Sequence, residues 1–135
     1  MIELTWLAIR NPQFMSGISK LANAGLDFKT SYHVSRIFSK VDSEFKESQK
    51  FFMKFIEKYA DVDQKSGSYK VKDEHLEKWK EETKNFDETK FTIEKSRVNI
   101  ADLNGVNLTP LEILALEPIL LGLEVLEGGK TDGKS

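Results

Sequence analysis

From Val34 to Tyr59 the chain reads Val34, Phe38, Val41, Phe45, Ser48, Phe52, Phe55, Tyr59, in steps of 4, 3, 4, 3, 4, 3 and 4. Only an α-helix brings side chains at that spacing onto one stripe. Thirty residues of such a helix would span roughly 45 Å, which is long for a chain of 135 residues. Ile37, Phe51 and Ile56 widen the stripe beyond a simple two-stranded seam. Ser48 is its one polar member. Asp27 or Thr30 supplies the start.

A second helical pattern follows, with Leu76, Trp79, Thr83 and Phe86 stepping by 3, 4 and 3. Asp73 is the expected N-cap, and Glu74 and Glu77 suit the positive end of the helix. About a dozen residues separate the two patterns, so the simplest arrangement is an antiparallel helical hairpin. The connector, DVDQKSGSYKV, has the look of a calcium loop. An EF-hand needs acidic or polar oxygens at positions 1, 3 and 5, glycine at 6 and glutamate at 12. Counting from Asp61 puts Lys65 fifth, Ser66 sixth and Lys72 twelfth; placing Gly67 sixth puts Val62 first. Neither register works, and the stretch reads as a turn at Ser66-Gly67 followed by a short strand at Tyr69 and Val71.

Around this hairpin the pattern changes. ELTWLAI, residues 3–9, suits an edge strand or an extended arm. Asn11-Pro12 starts a short helix, with Gly25 expected to end it in a left-handed conformation. KFTIEKSRVNI, residues 90–100, alternates as a strand does, with a bulge expected near Ser96. Asn104-Gly105 marks a turn, after which Val106 and Leu108 suit a short strand. Thr109-Pro110-Leu111-Glu112 is a capping box with proline at the first helical position. The helix LEILALE should stop near Pro118, and ILLGLEVL continues as a strand or a closing turn. The fold class expected is α+β: a long antiparallel helical hairpin packed with a small antiparallel β-sheet, from residues 91–108 and 3–9, and a short C-terminal helix within a segment, 109–126, that covers one end. Residues 1–127 form one domain on this reading, and GGKTDGKS, 128–135, a flexible tail.

The chain has no cysteine, which removes thiolate chemistry, disulfides and cysteine-based metal sites. No stretch reaches about 18 apolar residues, so no membrane span and no membrane partner are expected. The N-terminus lacks the basic start and unbroken apolar run of a signal peptide. No catalytic motif, phosphate-binding glycine loop or zinc motif is present. His33 and His75 lack further ligands at useful spacing. Glu81-Glu82 and Asp87-Glu88 lie among lysines, the pattern of a solvated helix face. The expectation is a protein without catalytic residues, metal or cofactor.

Charge is unevenly spread. Residues 1–40 carry five bases and two acids, +3, whereas 101–129 carry five acids and no base, −5. The two ends either neutralise each other within the chain or steer head-to-tail association. Lys46, Lys50, Lys54 and Lys58 recur every four residues, but acids dilute the stripe and the net charge is −2. That balance argues against nucleic acid as the main partner. The apolar C-terminal segment, with Leu111, Leu114, Ile119, Leu120 and Leu121, and the N-terminal Trp6 and Leu7 exceed what one face of a short helix requires. They are the candidate interface residues, the alternative being that they close the core.

The order of segments, most distinctively EKYAD…GSYKV and LTPLEILALEPIL, resembles a group of small proteins encoded by tailed bacteriophages and prophages. The resemblance covers about residues 10–121. It implies a virion or bacterial host cytoplasm location, and a role in virion structure, assembly or host takeover. The function so implied is a non-enzymatic structural or assembly protein acting through protein–protein contacts, with itself or other phage structural proteins as partner. The alternative is a phage-encoded inhibitor that binds a host protein.

Overall fold

A computed structural model describes residues 1–123. The tail at 128–135, the end of the anticipated 109–126 segment, Glu124 and Glu127 lie outside the described residues. β1 (Ile2–Thr5) buries Ile2 and Leu4 and exposes Glu3. Thr5 ends the strand and caps α1 (Trp6–Arg10), its Oγ1 accepting from the Ala8 N–H. Asn11 caps α2 (Pro12–Ala22) by accepting from the Gln13 N–H, with Pro12 at the first position. α2 ends earlier than anticipated. Asn23 closes it with its backbone N–H and a 2.8 Å side-chain bond to the Ser19 carbonyl. Gly25 therefore has no cap to make, and its φ is not positive.

Asp27 caps α3 (Phe28–Tyr59), accepting from the Thr30 N–H at 2.8 Å. α3 has 32 residues. The heptad seam faces inward along its whole length, with Val34, Val41, Ser48 and Tyr59 buried and the four phenylalanines between them half-buried. The connector forms an antiparallel ribbon of β2 (Ala60–Val62) and β3 (Tyr69–Val71). Asp63 closes its turn: its side chain accepts from the Lys65 N–H and its carbonyl from the Gly67 N–H. Gly67 sits at φ 74°, a conformation that costs glycine little. Residues 73–75 make one 3₁₀ turn before α4 (Leu76–Asp87). Asp73 thus lies inside that turn and makes no side-chain cap, a correction to its expected role. α3 and α4 run antiparallel, Tyr59 meeting His75 at one end and Phe52 meeting Phe86 towards the other.

β4 (Lys90–Ile93) returns to pair antiparallel with β1, Ile93 opposite Ile2 and Phe91 opposite Leu4. No bulge follows. Residues 94–97 are a bend and loop that separates β4 from β5 (Val98–Asn99). A 3₁₀ turn at Ile100–Asp102 leads to the Asn104-Gly105 turn, with Gly105 at φ 87°. Val106 and Leu108 form no strand; they are half-buried loop residues packed against the core. α5 (Pro110–Leu116) starts in the anticipated capping box. It ends in a 3₁₀ turn through Pro118, and β6 (Leu120–Leu121) pairs parallel with β5. The fold is α+β, with two antiparallel ribbons and one short parallel pair among the described residues where one antiparallel sheet was expected.

The aliphatic core lies where the first half of α3 meets α2, α5 and the β1–β4 ribbon. Phe14, Ile18, Ile37, Val41, Leu116 and Ile119 are all at most 1% exposed there. The second half of α3, with α4 and α1, holds a cluster of aromatic residues that includes Trp6, Phe52, Phe55, Trp79 and Phe86.

Candidate functional site

The anticipated interface residues divide into two groups. Trp6, Ile119 and Leu120 are buried and belong to the core, so the interface reading is corrected for these three. Trp6 packs edge-on against Phe86, and its indole N–H donates to Glu44 Oε1 at 3.0 Å. Leu7, Leu111, Leu114 and Leu121 are exposed.

The reason lies in α5. A seven-residue helix with this composition would ordinarily turn its leucines inward. Here the inward face is Glu112 and Leu116, four residues apart, both at most 1% exposed. Leu111 and Leu114 point outward, 59% and 64% exposed. α2 makes this possible. Its Gly17 lies against α5 so closely that a Cβ there would fall 2.7 Å from Leu116 Cδ1 and 3.3 Å from Glu112 Cβ.

Close approach brings two α2 side chains onto the buried carboxylate. Lys20 Nζ donates to Glu112 Oε1 at 2.7 Å, and the Ser16 hydroxyl donates to Oε2. The Thr109 N–H donates to Oε1 at 2.8 Å, completing the capping box. A buried carboxylate is tolerated only when its lone pairs are filled, and these are. The bonds from Lys20, Ser16 and the Thr109 backbone hold the Glu112 carboxyl down to about 2 against the opposing effect of burial. Lys20 belongs to the basic end of the chain and Glu112 to the acidic end, so at this contact the charge asymmetry is resolved within the molecule.

Arg10 forms the second polar centre. Its guanidinium carbon lies 5.7, 5.0 and 5.3 Å from the ring centres of Phe45, Phe52 and Phe86. The guanidinium donates to Ser48 Oγ at 3.1 Å and to Gln49 Oε1. Ser48 in turn donates to the Phe45 carbonyl at 2.7 Å. The polar break in the seam is thus the acceptor for a cation lodged among aromatic rings. Burial lowers the Arg10 pKa from its ordinary value, countered by Asp87, whose own carboxyl is pushed up by burial. Both bonds come from Nη1, and together with the three rings they fix the guanidinium in place.

The remaining sequence candidates are separated. His33 Nε2–H donates to the Ser96 carbonyl at 2.7 Å, while His75 packs edge-on against Tyr59. Among the described residues no three His, Asp or Glu side chains gather as metal ligands. Glu81 lies 3.9 Å from Lys78, and Glu82 lies 3.9 Å from Lys58. The lysine stripe of α3 is largely occupied: Lys46 pairs with Asp42, Lys50 with Glu47, and Lys54 lies over the Phe51 ring. No helix among the described residues is long and apolar enough to cross a membrane.

The outward leucines of α5 were visible in the sequence as apolar surplus, but their orientation was not. Arg10 and the Glu112 cluster were missed because their partners lie far along the chain. No protein-family model, curated protein or solved structure matches this chain.

Proposed function

We propose that this chain is a non-enzymatic structural or assembly protein of a tailed bacteriophage, acting in the virion or the host cytoplasm through protein–protein contacts, first of all with copies of itself. The phage setting rests on the resemblance of EKYAD…GSYKV and LTPLEILALEPIL, and the self-contact rests on α5, which buries an acid and exposes Leu111 and Leu114 one turn apart. Burying a paired carboxylate in place of a leucine gives little net stability, while each exposed leucine forgoes roughly 1.5–3 kcal/mol of burial. A helix serving only to close the core would favour the opposite arrangement. Leu7 and Leu121 add to the exposed apolar surface.

The absence of cysteine gives a clean test. Leu114→Cys introduces one thiol into a chain that has none. Mild oxidation should convert this variant to a covalent dimer, and a thiol placed at Lys65 in the connector should not do so. A Leu114→Cys protein that stays uncrosslinked contradicts a self-contact through α5. The same face would then serve a heterologous partner, either another phage protein or a host protein that the chain inhibits.

A further inference from the structure

We infer that the groove between the first half of α3 and residues 94–97 binds single-stranded nucleic acid, a function beyond the self-contact of α5. Lys29, His33, Arg36 and Lys40 step by 4, 3 and 4, so they form one stripe of α3 about 16 Å long. The 94–97 segment faces this stripe. His33 ties it down through the Ser96 carbonyl, and Lys95 lines the same cavity as Arg36. Two adjoining cavities of about 500 and 390 Å³ share Arg36 and Lys95 in their walls, and Lys40 extends the second. Among the described residues, Lys29, Arg36, Lys95 and Arg97 take part in none of the ion pairs. The lysines further along α3 are mostly engaged. Lys29, Arg36 and Lys95, all outside the ion pairs, therefore share the walls of this groove, whereas Lys65, Lys70, Lys80 and Lys84, also outside them, lie elsewhere, and Lys40 pairs with Glu44 at 3.3 Å.

At the mouth of this groove stand two aromatic rings that the core does not use. Phe28 and Tyr32 are 83% and 55% exposed and stack on each other, centroids 6.1 Å apart and planes 25° from parallel. Tyr32 also lines the larger cavity. Exposed aromatics beside unpaired cations suit a polyanion that carries flat bases: phosphates meet the cations and bases stack on the rings. Asp27, Glu94 and Asp102 also line the cavities and reduce the local charge. Asp27 is committed to capping α3. The acids are the reason stacking matters here, since the attraction of a base for an aromatic face does not depend on net charge. An acidic protein segment would be drawn by the cations alone and would gain less from the rings.

The test is fluorescence anisotropy of a labelled oligothymidylate titrated with the full chain at about 50 and 200 mM salt. Saturable binding is expected at the lower salt, weakening as salt rises. Phe28→Ala and Tyr32→Ala should each weaken it about tenfold. Arg36→Gln with Lys95→Gln should lower the salt slope by about 0.7 for each cation removed. Lys46→Gln with Lys50→Gln should leave binding unchanged. Tyr32→Phe keeps the ring and should retain binding, which separates loss of stacking from loss of folding. No anisotropy change at the lower salt overturns the inference. So does affinity that is indifferent to both aromatic substitutions and matched by polyglutamate in competition, the signature of an acidic protein partner.

Discussion

Gly17 of α2 and Leu116 of α5 meet where no side chain fits: a Cβ on Gly17 would lie 2.7 Å from Leu116 Cδ1 and 3.1 Å from its Cγ. Leu116 is fully buried and has little freedom to move aside. Two effects compete on substitution. Alanine improves helix propensity by about 1 kcal/mol, while overpacking a tight core costs about 1–3 kcal/mol. Gly17→Ala should therefore be destabilising by up to about 2 kcal/mol, and Gly17→Val by more. Urea denaturation would report this as a lower midpoint at unchanged slope. A Gly17→Ala protein more stable than the parent would show that α2 and α5 are free to separate.

The Glu112 carboxyl gives stability a pH signature. Its pKa is lowered from 4.5 to about 2 by Lys20, Ser16 and the Thr109 backbone. The folded state thus holds its proton less tightly than the unfolded chain does. The associated stability is present above about pH 4.5 and is lost as pH falls towards about 2. Glu112→Gln should make the fall in melting temperature between those limits shallower, while Asp27 and Asp63, held down by the backbone N–H groups of Thr30 and Lys65, keep their share of it. The measurement is melting by circular dichroism across the acid range, for parent and variant.

Arg10 should be needed as arginine. Its planar guanidinium touches three rings and reaches both Ser48 and Gln49, a geometry that a lysine ammonium cannot copy. Arg10→Ala should cost about 2 kcal/mol, and Arg10→Lys should recover less than half of that. Ser48→Ala leaves the Gln49 bond in place and should cost about 1 kcal/mol. Denaturant midpoints for the three variants check the order.

How much could be read from the residues alone depended on distance along the chain. α3 was legible because its seam repeats over 26 residues, from Val34 to Tyr59. The caps at Asn11 and Thr109 were legible, and Asp27 was one of two candidates with Thr30, because donor and acceptor lie within three residues of each other. Gly25 misled, since Asn23 had already closed α2 two residues earlier. The β5–β6 pair was hidden: each strand has two residues, and the partners lie 22 positions apart. Within its own segment Glu112 shows only as half of a capping box. Its second role depends on Ser16 and Lys20, 96 and 92 residues away, and nothing local marks it. That hidden role also inverts α5, so apolar density identified the segment but not which leucines face out.

We propose that the outward face of α5 joins this chain to another copy. The most direct measurement is the mass in solution by light scattering, over a concentration series, for the parent and for Leu111→Lys with Leu114→Glu. Both side chains are exposed, so the double variant should fold as the parent does. The expected result is a parent mass that is a multiple of 15.5 kDa and a variant that falls to 15.5 kDa. A parent that stays at 15.5 kDa at every concentration, or a variant that assembles equally well, would contradict it.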